Sequence, residues 1–245
     1  YDKFALVENF WETGYGMPSF TLLGPQIIRF PFILTSSYPH EILHNWWGNS
    51  VYVDYASGNW CEGLTAYLAD HLFKEQQGQG AEYRRDTLKK YRDFVRDGQD
   101  FALTQFRSRH SPATEAVGYG KALMLFHMTR RQVGDDAFRA GLQRFYREFK
   151  GKRATFDDFR RSVEAASKQD LNPLFRAFVD RAGAPDLRLE RVRSEPRGNG
   201  YVVTGRIVQR QRGEAYTLDV PVAVHAAGVA TTRMVRIAAR STAFS

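Results

Sequence analysis

An α+β fold is predicted for this chain: a mainly helical domain opened by a short β segment and followed by a small all-β module. Three observations predict it. Apolar residues recur at helical spacing through the middle, two short apolar runs at the start are divided by glycine and proline, and strand-length runs take over after Gly183-Ala184-Pro185. The domains are drawn at 1–183 and 184–245.

Lys3 to Glu8 and Ser19 to Leu23 read as strands, with Gly14-Tyr15-Gly16-Met17-Pro18 as the turn between them. From His40 the pattern is helical, with Ile42, Leu43, Trp46 and Trp47 as its apolar side. Glu62 stands in the first turn of a second helix running to Ala69. Ala81 to Val95 is amphipathic through Tyr83, Leu88, Tyr91 and Val95. A loop containing Ser111-Pro112 leads to a helix beginning near Tyr119. Asp135 to Phe149 places Phe138, Leu142, Phe145 and Phe149 on one face. Thr155-Phe156-Asp157-Asp158 is a capping box with Asp in the usual Glu or Gln position, and Leu171-Asn172-Pro173 puts proline where a helix start tolerates it. Leu187 to Val192, Tyr201 to Val208, Tyr216 to Val224 and Thr231 to Ile237 are the strands of the β module, which is too short for a complete β-sandwich.

With 245 residues, 43% of them hydrophobic, the chain has the material for one large core and a smaller one. The longest apolar run, Gln26 to Leu34, is broken by Arg29 and Pro31, so no membrane span is expected. The start at Tyr1-Asp2-Lys3 instead of Met reads as that of a fragment, with additional β domains expected outside it. A single cysteine, Cys61, excludes an internal disulfide and a cysteine-based zinc site, and it reads as a small packing residue. The net charge of +8 is spread over many helix faces, usually near Asp or Glu, and no nucleic-acid partner is expected.

The chemistry is concentrated in His40-Glu41-Ile42-Leu43-His44 and Trp60-Cys61-Glu62-Gly63. Residues i and i+4 lie one above the other on a helix, so both imidazoles can face one ion, with Glu62 as the third ligand. Two His and one carboxylate make an open site for one Zn2+ per chain. Its fourth position takes a water whose pKa falls to roughly 7. Glu41 is the general base placed to take the proton.

These residues also carry a family resemblance. His40-Glu41-Ile42-Leu43-His44-Asn45-Trp46-Trp47-Gly48-Asn49 resembles the H-E-x-x-H-Q-W-F-G-N run of the aminopeptidase N and leukotriene hydrolase family of gluzincins. Trp60-Cys61-Glu62-Gly63-Leu64 resembles its W-L-N-E-G-F segment, and Tyr119-Gly120-Lys121-Ala122 its Y-E-K-G. The resemblance covers about residues 1–185 and implies a thermolysin-like catalytic domain. It also implies zinc on His40, His44 and Glu62, Glu41 as general base and Tyr119 as oxyanion stabiliser. A phenol O–H aimed at the scissile carbonyl donates a hydrogen bond that strengthens as negative charge develops there.

Two departures bear on specificity. Seventeen residues separate His44 from Glu62, one fewer than the family's usual spacing. The family's G-x-M-E-N strand, whose Glu holds a substrate's α-amine, corresponds to Gly16-Met17-Pro18-Ser19, in which the carboxylate is absent. Gly16 and Met17 are the expected substrate-binding positions, with Glu12 as the candidate substitute for the missing acid. The expected activity is hydrolysis of peptides, bound as an extended strand against Ser19 to Leu23. The rivals are an endopeptidase, another hydrolase on the same fold, and a silent zinc-containing peptide-binding domain.

Overall fold

The computed structural model describes residues 2–96, 98–226 and 228–245; Tyr1, where the predicted helical domain starts, lies outside the described residues. Two units are resolved, Tyr1–Ala182 and Gly183–Ser245.

The first unit opens with β1 (Ala5–Glu8), β2 (Gly14–Met17) and β3 (Phe20–Leu23). They form one sheet in the order β1-β3-β2, with β1 parallel and β2 antiparallel to β3. This corrects the reading of Gly14 to Pro18 as a turn. Gly14–Met17 is a strand, and the reversal falls at Pro18-Ser19, where Ser19 takes φ 68°. The two glycines serve close approach instead. A Cβ on Gly14 would stand 2.6 Å from Glu41 Oε1, and one on Gly16 2.5 Å from His44 Cβ. A second correction follows from the strand order. β3 has a partner on both edges, so a substrate strand cannot add to it.

Helix α1 (Ser37–Leu43) carries His40 and Glu41 and ends just before His44. Beyond Leu43 the helical spacing lapses. Trp46, expected on the apolar side, is therefore 44% exposed, and Asn45 takes the buried place. Asn45 accepts from the Ser19 N–H (2.9 Å) and donates to the Ile42 carbonyl (2.8 Å), fixing the turn to the sheet. Strand β4 (Tyr52–Val53) pairs in parallel with β5 (Arg153–Ala154).

Two long helical rods follow, each interrupted by a π-helical turn. One is α2 (Cys61–Ala66), the turn Tyr67–His71 and α3 (Leu72–Gln76). After α4 (Gly80–Phe94) comes the other: α5 (Pro112–Glu115), the turn Ala116–Lys121 and α6 (Ala122–Val133). The second rod begins well ahead of the predicted start near Tyr119. Ser111 is its N-cap in a capping box closed by Thr114, with proline in the first turn, and Thr in place of Glu or Gln hides that start. The predicted apolar side of α4 is only partly covered, Leu88 being 52% exposed. Helices α7 (Asp135–Phe149), α8 (Phe156–Ser167) and α9 (Asn172–Phe178) complete the unit. The capping box at Thr155 forms as predicted, with Asp158 N–H on Thr155 Oγ1 (3.1 Å) and Thr155 N–H on Asp158 Oδ2 (2.9 Å).

Aromatic rings make the core. Trp60 meets Phe145 edge-on at 5.1 Å, Phe145 meets Phe159 at 5.5 Å, and Phe126 meets Phe159 at 4.9 Å. Trp60 Nε1 donates to the Ala154 carbonyl at 2.7 Å. A Cβ on Gly63 would come 2.3 Å from Ala122 Cβ, so α2 and α6 touch almost backbone to backbone. That contact brings the two rods together beside the site.

The second unit contains β6 (Leu187–Arg197), β7 (Gly200–Gln209), β8 (Leu218–Ala226), β9 (Val229–Ile237) and β10 (Ser241–Phe244). Its sheets are β10-β7-β6 and the hairpin β8-β9. Strand β10 is an addition to the sequence reading, which placed no strand in that short segment. Buried Gln209 accepts from the Tyr216 N–H and donates to the Tyr216 carbonyl, both at 2.8 Å. Among the described residues no helix is long and apolar enough to cross a membrane.

Candidate metal centre

The last turn of α1, the residue that caps it and the first turn of α2 bring His40, His44 and Glu62 together, with one ligand atom of each within 4.8 Å of the others. Each imidazole is oriented through its Nδ1. His40 Nδ1 is 2.7 Å from Asp70 Oδ2, and His44 Nδ1 is 2.9 Å from the Trp47 carbonyl, to which it can only donate. Both Nε2 atoms are thereby left to face Glu62 Oε2, each at 3.5 Å. That is long for a charge-assisted hydrogen bond, at roughly 2.7–2.9 Å. It matches the roughly 3.4 Å between two ligands held at about 2.05 Å across a tetrahedral angle. The donor set and its spacing fit zinc.

Burial and charge act against each other here. Burial disfavours the His40 imidazolium, yet Asp70 and Glu62 together raise it to about 10. His44 is raised as well, Glu62 outweighing the cost of burial. For Glu62, burial pushes the carboxyl up, and the two imidazoles pull it well below the usual carboxylate range. Burial is also the largest influence on Glu41, raising it against the two imidazoles and the nearby Gly16 backbone. A raised carboxylate beside the ligands is suited to accepting a proton.

Tyr119 sits in the second π-helical turn with its ring stacked on His40, centroids 6.2 Å apart. Burial, then the negative charge of the neighbouring Glu62 carboxylate, pushes its pKa up. The phenol therefore keeps its proton and remains a donor. Cys61 lies beside Glu62 but is buried, its thiol pushed up by burial, which suits the packing role read from sequence.

The expected substrate positions divide. Gly16 lies against Glu41 and His44, with Asn49 Nδ2 donating to its carbonyl at 2.7 Å, and Met17 ends the same strand. Glu12 instead accepts from the Gln26 N–H at 3.1 and 3.2 Å and from the Ile27 N–H at 3.4 Å. Sequence reasoning missed Asp70. It lies on the same rod as Glu62 but inside the π-helical turn Tyr67–His71, so regular helical spacing does not mark it. It also missed Arg109, whose guanidinium lies 5.8 Å from the Tyr119 ring centroid; no local pattern announces that contact.

Comparison with known proteins gives a consistent picture. Residues 35–178, over half the chain, match the family described as Peptidase family M1 domain. Aminopeptidase N of Haemophilus influenzae is 30% identical over 161 residues, covering 63% of this chain and 18% of the relative. Aminopeptidase 2, mitochondrial, of Saccharomyces cerevisiae is 26% identical over 196 residues, covering 74% and 19%. The chain thus spans about a fifth of the length of these relatives. Among solved structures, Legionella pneumophila aminopeptidase A in complex with aspartic acid superposes with a TM-score of 0.66 at 17% identity, over 98% of this chain and 28% of that one. A mutant M1 zinc metallopeptidase from Deinococcus radiodurans bound to a Tyr-Ser-Ala substrate gives 0.57 at 20% identity, over 75% and 40%. The chain belongs to peptidase family M1, the aminopeptidase N family of zinc metallopeptidases.

Proposed function

We propose that this chain hydrolyses peptide bonds with one zinc ion held by His40, His44 and Glu62. The observation that carries the proposal is the convergence of both Nε2 atoms on one carboxylate oxygen, each at 3.5 Å, with the two Nδ1 atoms already engaged. When bound, zinc polarises the scissile carbonyl and acidifies water. The chain's own residues do the rest. Glu41 accepts the proton of the attacking water and returns it to the leaving nitrogen. Tyr119 donates its O–H to the oxygen on which charge develops. Asp70 holds His40 in the tautomer that leaves Nε2 free.

The relatives are named aminopeptidases, and that specificity comes to this chain as a proposal. A second reading, endopeptidase-type cleavage, is favoured by two observations. Pro18 stands where the amine-binding carboxylate is expected, and Glu12 already caps backbone amides.

Metal analysis joined to peptide hydrolysis tests the main reading. The expected outcome is close to one zinc per chain, lost in His44→Ala. Glu41→Gln should retain zinc and fold while turnover falls roughly 100- to 10,000-fold. A folded protein that takes up no zinc removes the site, and full turnover in Glu41→Gln removes the base.

A further inference from the structure

Lys121 lies in the same motif as Tyr119 and has no part in the chemistry above. It is 5% exposed, and its Nζ donates to the Arg181 carbonyl at 2.6 Å. Taking an ammonium out of water is costly, and a Leu or Met would fill the same space without that cost. What lysine alone supplies is a directed donor aimed at a carbonyl beyond α9.

The surroundings show what that donor holds. Tyr119 and Lys121 share the π-helical turn Ala116–Lys121, a geometry less favourable than the α-helix and dependent on its neighbours. Both flanks of the turn are fixed: the Ser111 capping box sets the start of the rod, and buried Leu123, Leu125 and Phe126 set α6. Between them the turn contains two glycines pressed on their neighbours. A Cβ on Gly118 would come 2.2 Å from the Phe106 ring, and one on Gly120 would come 3.1 Å from Thr87 Cγ2. Glycine permits these contacts but leaves the backbone loose. Relaxation of the turn to α-helix would shift residues by about 100° around the axis and take the phenol away from the cluster.

We infer that Lys121 is a positioning residue for Tyr119: its bond to the Arg181 carbonyl pins the π-helical turn so that the phenol faces His40 and Glu62. This rests on the role given to Tyr119 above. Burial drags the Lys121 pKa down to about 8, with Asp100 opposing and Arg181 adding to the fall.

The test is a double-mutant cycle on the zinc-loaded protein with Lys121→Met, Tyr119→Phe and the pair, read as kcat and KM on one peptide. Hydrogen exchange over residues 116–121 is measured alongside. Lys121→Met should lower kcat about tenfold with KM within about twofold and zinc content unchanged, and should cost under about twofold when Phe already replaces Tyr119. Exchange should quicken in 116–121 and stay as it was in Tyr67–His71. An equal loss in both backgrounds, or unchanged exchange, overturns the inference. If Tyr119→Phe alone leaves kcat intact, the assignment of Tyr119 fails, while the exchange measurement still decides whether Lys121 pins the turn. Should Lys121→Met not fold, Lys121→Gln takes its place under the same criteria.

Discussion

Asp70 Oδ2 stands 2.7 Å from His40 Nδ1, so the rod that supplies one proposed ligand, Glu62, also orients another. Asp70 reaches that position from the first π-helical turn. Removing such a partner typically weakens metal binding about 10- to 100-fold. Asp70→Ala is therefore expected to lose zinc to a competing chelator in that range while keeping its secondary structure. Unchanged affinity would mean that His40 is held by packing alone.

Gly14 and Gly16 should respond differently to the same added methyl group. At Gly14 the nearest atom is the far end of the Glu41 side chain, so Gly14→Ala should displace the carboxylate, lowering kcat with little loss of stability. At Gly16 the methyl meets His44 Cβ at 2.5 Å and the Glu41 carbonyl at 2.6 Å, neither of which can swing aside. Gly16→Ala should cost about 1–3 kcal/mol of stability in addition to activity. Gly200→Ala, which adds its methyl to open space, is the control for urea unfolding.

His71 and His127 give a dependence on acidity. Burial, then the positive Arg84, lowers each imidazole from 6.5 to about 4. Arg84 Nη1 is 2.7 Å from His71 Nε2, the Tyr67 hydroxyl is 3.3 Å from His127 Nδ1, and Glu75 opposes the shift in both. Between pH 6.5 and 4 the unfolded chain takes up protons at these positions that the folded chain refuses, so folding weakens as pH falls and levels off below about 4. Denaturant titrations across that window should show His71→Gln with a shallower slope than the unsubstituted chain, by up to one proton. Parallel slopes would show that His71 titrates normally.

Blocking the substrate's N-terminus tests the consequence of Pro18. On the endopeptidase reading, in which no carboxylate holds the α-amine, acetylation should change kcat/KM by under about tenfold, roughly 1.4 kcal/mol. A much larger loss on acetylation, relieved in Glu12→Gln, would assign the amine to Glu12 and leave its backbone bonds secondary.

The sequence showed the site better than it showed the scaffold around it. His40, Glu41, His44 and Glu62 were legible because two short motifs carry their spacing, and the capping box at Thr155 because it is local. Tyr119 was legible through its own short motif, whereas Asp70 was not, because the π-helical turn that carries it has no signal in hydrophobic periodicity. Gly14 and Gly16 were misread because glycine marks turns and close approach alike, and only the neighbouring helix tells the two apart. Ser111-Pro112 looked like loop because Thr114 closes its capping box with an unusual residue. Trp46 was placed on a buried face by extending a helix beyond Leu43, where it stops.

The brevity of α1 bears on how portable the zinc motif is. A helix of seven residues is well below the roughly 12 to 15 needed for stability in water, and its second histidine falls outside it. The geometry at His44 is borrowed from Asn45 on the Ser19 amide, Asn49 on the Gly16 carbonyl and Trp47 on the imidazole. Copied alone into a peptide or onto a foreign helix, the five residues would carry the donor atoms but not their convergence. Transplanting the centre would require the glycine strand, the turn after Leu43 and the rod bearing Glu62 and Asp70 as a single block.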